Sequence, residues 1–442
     1  MNINNYFNIY IIYIIIYISM NNQYKINKYI SKLNNSNNSE KNKLYQQKIN
    51  KYLQEYQSIY NNKPVPATQE NISKLIEKNN NNYSDTITAF GYGTMDKQNP
   101  IELLVFERNK PKQNEVLVEI LYTGICHSDW HNIVGEWESE YPVIPGHEIV
   151  GRIIDIGKNV KNINFNDIVA IGPTIDSCGF CARCNDKREQ YCFNEATEVY
   201  GTKQRLPGDI KPSGPITYGG YSNIITIKEK FVYKLPKNLD IKGCAPLMCA
   251  AATTFSPLKQ MKIGPGSIIG IVGIGGLGHM AVKIAKALGA KVIAFTHTEW
   301  KIKDSIKNLG ADDAILTTNF EQVSKYRAKL DMILDTIPTA HNLAPYIELL
   351  KLNGTLWILG ALFPTPLDMN NLAYNNCKLA SSVIAGSNEI HEMLELCSKY
   401  NITADVELIN ADNINQTRKN LLESKVKYRY VIDMKSSMNK LQ

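Results

Sequence analysis

Residues 267–296, SIIGIVGIGGLGHMAVKIAKALGAKVIAFT, decide the fold class of this 442-residue chain. Apolar runs at both ends predict two buried strands. Between them, a glycine turn leads into a segment with the spacing of one helix face, its apolar residues at positions 277, 281, 284, 285 and 288. Further strand-like runs, separated by helical stretches, follow at residues 313–318, 331–336 and 354–360. This alternation predicts a doubly wound α/β unit with a parallel sheet.

The glycine turn, Gly273-Ile-Gly275-Gly276-Leu277-Gly278, matches the pattern G-x-G-x-x-G. Its place between a buried strand and a helix is typical of dinucleotide binding, whereas the pattern alone would be weak. The first two glycines allow a tight turn and close backbone approach to a pyrophosphate, and Gly278 lets helix and strand pack. The helix N-terminus faces the negative charge.

The end of the second strand distinguishes NAD from NADP. An acidic residue there would bind the adenosine ribose hydroxyls, but the chain has Thr296 at that place. Thr296 and Thr298 can donate hydrogen bonds, and Lys301 can supply a positive charge to a 2′-phosphate. Glu299 is a contrary signal unless it faces solvent. The pattern favours NADP(H).

The preceding part of the chain, from Thr86, predicts a different architecture. Runs of alternating apolar residues, interrupted by glycine turns, occur at residues 115–126, 148–157 and 167–173. Such runs are typical of strands in a sheet with one buried face. We expect a β-rich, closed or half-closed barrel in this half.

Cys178, Cys181, Cys184 and Cys192 form the strongest single motif. Four thiolates within 15 residues satisfy tetrahedral Zn²⁺ and leave no open position, so the motif predicts a structural zinc. An iron–sulfur cluster is disfavoured by the seven-residue gap and by the lack of a following Cys-Pro. Cysteines clustered in this way in a long chain also indicate a reducing compartment.

A second candidate metal site is dispersed along the chain. Cys126 ends a predicted strand, His147 precedes another, and Cys249 lies just before the nucleotide-binding unit. Two thiolates and an imidazole suit zinc, and three ligands leave a position for substrate. Spacing alone does not join these residues, since a lone strand Cys or His is usually part of the core.

The first 85 residues differ in composition from the remainder. Residues 1–63 contain eight lysines and two glutamates, which account for +6 of the total charge of +7. The remaining chain is nearly neutral, which gives no basis for a nucleic-acid surface. The Asn- and Lys-rich composition predicts disorder with transient helix. The apolar run of residues 9–20 is too short for a standard membrane span. It is interpreted either as part of an organelle-import leader or as compositional drift.

Five segments together resemble the zinc-containing medium-chain dehydrogenases, and specifically the cinnamyl alcohol dehydrogenase branch. They are CHSDWHNIVGEW, YPVIPGHEIVGRI, CGFCARCNDKREQYC, APLMCAAATTFSPL and VGIGGLGHMAVKIAKALGA. The resemblance covers about residues 86–434. Trp130, where a smaller apolar residue is usual, and the nearby Trp137 put cinnamyl specificity in doubt.

The resemblance implies a role for each matching residue. Cys126, His147 and Cys249 would bind a catalytic zinc, with Glu148 as an alternating or fourth ligand. Ser128 would contact the zinc-bound alcohol or alkoxide, and His131 would end a proton relay through the nicotinamide ribose. Thr336 and Gly360 match positions that contact the cofactor. The implied cofactors are two zinc ions per chain and NADP(H).

The resemblance also implies two domains with the active site between them. We expect a GroES-like β-barrel domain at residues 86–250 completed by 387–442, a Rossmann domain at 251–386, and a low-complexity extension at 1–85. The implied enzyme is a homodimeric alcohol dehydrogenase or aldehyde reductase. We expect a cytoplasmic location, with organelle import through the N-terminal extension as the alternative, and no stable membrane insertion. A zinc-independent enone or quinone reductase and a non-catalytic relative are the alternatives. Both are disfavoured because every zinc ligand is present.

Overall fold

The structure, a computed structural model, describes residues 32, 41–48, 63–80, 85–360, 364, 367–423 and 425–438. Residues 41–48 are helical. The labelled elements up to Gln260 are β1 (Val65–Pro66), α1 (Gln69–Asn80), β2 (Thr86–Gly93), β3 (Glu102–Asn109), β4 (Glu115–Ile125), α2 (His127–Ile133), β5 (Ile149–Ile156), β6 (Ile168–Ile171), β7 (Thr174–Asp176), α3 (Ala182–Asn185), β8 (Thr197–Glu198), β9 (Ile224–Lys228), β10 (Tyr233–Lys234), α4 (Ile241–Cys244) and α5 (Ala250–Gln260).

The elements after Gln260 are β11 (Ile268–Val272), α6 (Gly276–Ala287), β12 (Lys291–Thr296), α7 (Glu299–Lys307), β13 (Asp313–Leu316), α8 (Phe320–Ser324), β14 (Leu330–Asp335), α9 (Ala344–Ile347), β15 (Leu350–Ile358), α10 (Met369–Tyr374), β16 (Lys378–Ser381), α11 (Ser387–Tyr400), β17 (Val406–Ile409), α12 (Ile414–Leu422), β18 (Arg429–Asp433) and α13 (Met434–Met438). Short 3₁₀ helices occur at Glu189–Tyr191, Glu229–Phe231, Ala245–Met248 and Ala411–Asn413.

The predicted parallel sheet is present, with strand order β13-β12-β11-β14-β15-β16. Successive residues of a strand face opposite sides of the sheet. Ile271 accordingly belongs to a core that packs against helices on one side, and Val272 to a second core on the other. The predicted buried face of α6 is confirmed at Ala281, Ile284 and Ala285. The doubly wound α/β unit is therefore confirmed.

The β-rich half contains the three strands that the sequence predicted, β4, β5 and β6, in a larger sheet. Its order is β10-β6-β5-β4-β18-β17, with β9 also paired to β4. The end strands β10 and β17 do not pair with each other in the described part of the chain, so the ladder is open. The sequence predicted a closed or half-closed barrel, and the half-closed form describes this sheet. Strand β18 pairs with β4, so the segment after the parallel sheet returns to the β-rich half.

The prediction of disorder for residues 1–85 does not hold for residues 65–80. Strand β1 pairs with β3, and α1 lies on the same sheet, where Lys78 Nζ is 2.6 Å from a carboxylate oxygen of the buried Glu107. This segment needs no core of its own because it packs against a sheet that is already formed. The apolar run of residues 9–20 lies outside the described residues. No described helix is long and apolar enough to cross a membrane.

Candidate active site and metal centres

The structure brings the dispersed Cys126, His147, Glu148 and Cys249 together as a mixed-ligand cluster. Their candidate ligand atoms all lie within 4.8 Å of one another, and all four residues are buried. Antiparallel pairing of β4 with β5 places Thr123 opposite Ile149, which sets Cys126 beside His147. Cys249 follows the 3₁₀ helix Ala245–Met248 and caps α5. Ligands at about 2.0–2.3 Å from one ion fit such a group, so its donor set suits zinc.

Asp129, which the sequence interpretation overlooked, orients the ligands of this cluster through hydrogen bonds. Its Oδ1 lies 3.0 Å from His147 Nδ1 and accepts the N–H of Gly146 at 3.1 Å. Its Oδ2 accepts the N–H of Cys126 at 2.9 Å and the hydroxyl of Tyr221 at 3.2 Å. The contact at Nδ1 leaves His147 Nε2 for a metal. The spacing of a helix N-cap and an acidic residue three positions later could have indicated this role.

Arg429 links the mixed-ligand cluster to the glycine turn. Its Nη1 lies 3.3 Å from Glu148 Oε1, and both side chains are buried. Burial raises the pKa of Glu148 to about 7, although Arg429 opposes the shift. On its other side Arg429 lies against the turn, where a Cβ at Gly276 would be 2.4 Å from Arg429 Nε. No local sequence signal predicts Arg429, because it is remote in sequence from both partners.

The thiol pKa values in the mixed-ligand cluster are shifted by the neighbouring groups. A hydrogen bond from Cys249 lowers the pKa of Cys126 well below its usual value, against the effect of burial, and Arg429 and His147 add to the lowering. A thiolate is the form that binds metal. The same hydrogen bond raises the pKa of Cys249 well above its usual value, so these shifts favour the thiolate form at Cys126 alone.

Ser128 and His131 lie on α2 beside the cluster. Ser128 Oγ is 3.7 Å from Cys126 Sγ. His131 Nδ1 is 2.5 Å from Glu136 Oε2, and its ring stacks on Trp137 with centroids 4.8 Å apart. Residues three apart on a helix share a face, so the hydroxyl and the imidazole lie on the same side of α2. Glu136 is a further site residue that the sequence interpretation missed.

The four cysteines at 178–192 form a separate group, here named the four-thiol lobe. Cys184 Sγ lies 3.8 Å from Cys178 Sγ and 3.5 Å from Cys181 Sγ, and the ligand atoms of all four residues lie within 4.8 Å. Sulfurs about 2.3 Å from one zinc ion in a tetrahedron would be about 3.8 Å apart. The lobe therefore fits a zinc ion closed by four protein ligands.

The glycine turn has the geometry that a pyrophosphate site needs. Gly273 has φ +83°, which favours glycine, and nothing lies within 4 Å of a Cβ built at Gly275. A Cβ at Gly278 would be 2.0 Å from the carbonyl oxygen of Gly273, so the close approach of helix and strand requires glycine. Leu277 packs, partly buried, against the adjoining core. The open space over Gly275 suits a dinucleotide.

Thr336 and Gly360 lie at the carboxyl ends of neighbouring strands, next to this turn. The Thr336 hydroxyl is 3.0 Å from the carbonyl oxygen of Val272 and 2.5 Å from that of Gly273. A Cβ at Gly360 would lie 2.4 Å from the carbonyl oxygen of Ile337. Both residues thus border the crevice where open α/β sheets bind ligands.

The five residues directly after β12, residues 297–301, include no buried acid. Thr296 is buried, and its hydroxyl oxygen accepts the N–H of Thr298 at 3.2 Å. Glu299 is exposed to solvent, whereas Lys301 is 5% exposed. Lys301 Nζ lies over the ring of Trp300.

Two family models match the chain. Residues 112–237 match the alcohol dehydrogenase GroES-like domain, and residues 276–399 match the zinc-binding dehydrogenase domain. A probable zinc-type alcohol dehydrogenase-like protein of Acanthamoeba polyphaga mimivirus is 58% identical over 94% of this chain and 99% of the relative. The aldehyde reductase YahK of Escherichia coli is 40% identical over 77% of this chain and 97% of the relative.

A solved structure has the same fold along most of the chain. The CAD of Helicobacter pylori, complexed with NADP(H), superposes with a TM-score of 0.74 at 36% identity, over 80% of this chain and 99% of that one. The sequence motifs, the sheet topology and these similarities agree. The chain belongs to the zinc-containing medium-chain alcohol dehydrogenase family, in its cinnamyl alcohol dehydrogenase-like branch.

Proposed function

We propose that this protein is a zinc-dependent oxidoreductase that transfers a hydride between NADP(H) and a primary alcohol/aldehyde pair, acting as an aldehyde reductase. The observation that carries the proposal is the position of the mixed-ligand cluster, which Arg429 joins directly to the dinucleotide turn. A metal held there would lie beside a bound cofactor. Hydride transfer between alcohols and a nicotinamide requires that adjacency.

Cys126, His147 and Cys249 would hold the catalytic zinc, and Glu148 would serve as the alternating or fourth ligand. When bound, the zinc would polarise the substrate oxygen and the nicotinamide would supply or accept the hydride. Asp129 keeps the His147 ring in the orientation that presents Nε2. The burial of all four ligands limits access of bulk water.

Ser128 and His131 would carry the proton between the substrate oxygen and solvent. Ser128 lies beside Cys126, and the His131 ring is held at Nδ1 by Glu136. The assignment of a proton relay to these two side chains follows the family resemblance. Positioned acid–base groups of this kind typically contribute about 10²–10⁴-fold to a rate. Glu136 acts through His131 and is a positioning residue.

NADP(H) is proposed as the cofactor because residues 297–301, directly after β12, include no buried acid. The exposed Glu299 leaves that place to Thr296, Thr298 and the buried Lys301. The solved structure of the Helicobacter pylori relative is complexed with NADP(H), which supports this assignment. Because NADPH is kept reduced in cells, aldehyde reduction is the proposed direction, as the name of the Escherichia coli relative also suggests.

The four-thiol lobe would hold a second, structural zinc, giving two zinc ions per chain. Its four ligands leave no open position for a substrate. We further propose that the catalytic unit comprises residues 86–250 and 387–442, and the nucleotide unit residues 251–386. Pairing of β18 with β4 and the place of β16 as the last strand of the parallel sheet support these limits.

A homodimer is proposed through the edge strand β16 of the parallel sheet. The edge strand carries Leu379, which is 41% exposed, and Leu352 nearby is 71% exposed. A cytoplasmic location is proposed because all nine cysteines are free, as expected in a reducing compartment. Light scattering of the full chain measures the oligomeric state.

The decisive experiment is a screen of the full-length protein against a panel of aldehydes with NADPH and with NADH. We expect reduction of aldehydes with kcat/KM for NADPH at least about tenfold above that for NADH, or ~1.4 kcal/mol. Thr296→Asp should shift the preference toward NADH. Equal use of both cofactors would overturn the NADP(H) assignment, and no turnover by zinc-loaded protein would overturn the enzyme assignment.

A further inference from the structure

Lys301 carries a cationic side chain that is buried. It is 5% exposed, and no carboxylate within the described part of the chain forms an ion pair with its ammonium. Burial alone lowers the pKa of Lys301. Desolvating a charge is costly unless an opposite charge meets it. Such an arrangement is expected where the counter-ion arrives with a ligand.

Two aromatic rings lie next to this ammonium. Lys301 Nζ is 5.4 Å from the ring centroid of Trp300 and 6.0 Å from that of Tyr428. The two rings are themselves 5.9 Å apart, inclined at 32°. A ring face attracts a cation without cancelling its charge. The rings can therefore hold Lys301 in place while its full charge stays available.

The Tyr428 ring is buried and held by two contacts. It is 2% exposed and stacks on His279, with centroids 4.9 Å apart and planes at 10°. Its hydroxyl donates a hydrogen bond to Asp304. His279 belongs to α6, the helix that begins at the glycine turn. The orientation of the ring is thus tied to the dinucleotide site.

The nearby acid, Asp304, is already neutralised. Its Oδ1 lies 2.6 Å from Lys427 Nζ, and its Oδ2 accepts the hydrogen bond from Tyr428. Asn308 also donates to this carboxylate. Asp304 consequently holds the ring and leaves the ammonium of Lys301 unpaired.

We propose that Trp300 and Tyr428 form an aromatic clamp that positions the Lys301 ammonium for the 2′-phosphate of the cofactor. The inference rests on the proposed use of NADP(H) and assigns part of that specificity to Tyr428, which lies far from the β12 end in sequence. Trp300 and Tyr428 act through Lys301 and are positioning residues. The two aromatic rings hold the Lys301 ammonium in position and leave its charge available. A carboxylate in place of the rings would also hold the ammonium but would neutralise it.

The test measures binding of 2′,5′-ADP and 5′-AMP to the full-length protein by calorimetry, so it does not depend on turnover. Lys301→Met should weaken 2′,5′-ADP by at least about tenfold, because it removes a charge-assisted contact to phosphate. Trp300→Met and Tyr428→Leu should each weaken it by about three- to tenfold, the range expected for loss of a cation–π contact. Binding of 5′-AMP should not change. Tyr428→Phe, which keeps the ring but loses the hydrogen bond to Asp304, should weaken 2′,5′-ADP binding less than Tyr428→Leu does.

Tyr430→Leu is the matched control, since it removes a buried tyrosine that packs in the other core, two residues along the same segment. It should lower the melting temperature without changing the ratio of the two affinities. If Tyr428→Leu does not fold, Trp300→Met still decides, because Trp300 is 43% exposed and its loss should be tolerated.

The outcomes separate the clamp from the proposed function. An unchanged affinity ratio in folded Trp300→Met or Tyr428→Leu, with a reduced ratio in Lys301→Met, overturns the clamp alone. An unchanged ratio in Lys301→Met overturns the NADP(H) assignment as well. Equal weakening of both nucleotides by Trp300→Met or Tyr428→Leu would show a general structural role and would also overturn the clamp.

Discussion

The two cysteine-containing groups of this protein are built in opposite ways. The four-thiol lobe takes all its ligands from residues 178–192, and two of them are only partly buried. The mixed-ligand cluster takes its ligands from three segments between Cys126 and Cys249, and all are buried. The lobe is therefore a local structure, whereas the mixed-ligand cluster exists only when β4, β5 and the start of α5 are in place.

Their surroundings differ in the same sense. In the mixed-ligand cluster, charged side chains contact two of the ligands: Asp129 contacts His147, and Arg429 contacts Glu148. At the flank of the lobe, Glu189 accepts hydrogen bonds from the N–H and hydroxyl of Ser387 at the start of α11. This difference supports the proposal that the mixed-ligand cluster serves the chemistry and the four-thiol lobe serves stability.

The proposed difference between the two groups predicts its largest effect at His147, a ligand of the mixed-ligand cluster. His147→Ala should lower turnover by at least about 10³-fold, because polarisation of the substrate oxygen by a metal is worth several kcal/mol. NADPH binding, measured by fluorescence titration, should be unaffected, since the glycine turn and Lys301 are intact. His391→Ala is the control, an exposed histidine on α11. Substantial turnover by His147→Ala would contradict the assignment of this cluster to chemistry.

The lobe should respond to ligand loss with instability. Cys184→Ser should remove one zinc per chain and cost at least about 2 kcal/mol of folding free energy, because binding of a structural zinc contributes to folding. The melting temperature would fall by roughly 4–8 °C. The kcat of the folded fraction should be nearly that of the unaltered protein.

Cys377→Ser is the control for this variant, as it alters a partly buried thiol outside both groups. Calorimetric melting and zinc content should be measured on the same samples. A fully stable Cys184→Ser protein that is slow in the hydride step would reverse the proposed division between the two metals.

The same contrast explains what could be predicted from the sequence. The lobe and the glycine turn were recognisable because their residues are neighbours in the chain and their chemistry follows from spacing. The mixed-ligand cluster was named through resemblance, since spacing did not connect its members. Arg429 and Tyr428 were missed because they reach the site through the pairing of β18 with β4, a contact between distant segments. Residues 65–80 were misjudged because composition does not reveal that an edge strand elsewhere will accept a partner.

Asp129→Asn should have the smallest effect on the mixed-ligand cluster, because this substitution leaves every metal ligand in place. The amide keeps the size of the carboxylate but loses its charge and one acceptor oxygen, while the present carboxylate contacts His147, Gly146, Cys126 and Tyr221. Partners behind a metal-binding histidine typically account for about 10–100-fold in metal affinity or activity. Titration with a chelator should therefore remove one zinc per chain at a 10–100-fold lower chelator concentration than in the unaltered protein.

The second zinc should be retained as before, because Asp129 does not contact the lobe. Asp186→Asn, at an exposed lobe residue paired with Arg188, should change neither release. Simultaneous loss of both zinc ions from Asp129→Asn would mean that the two groups are not independent, since a local change would then have loosened a metal held by a separate set of four ligands.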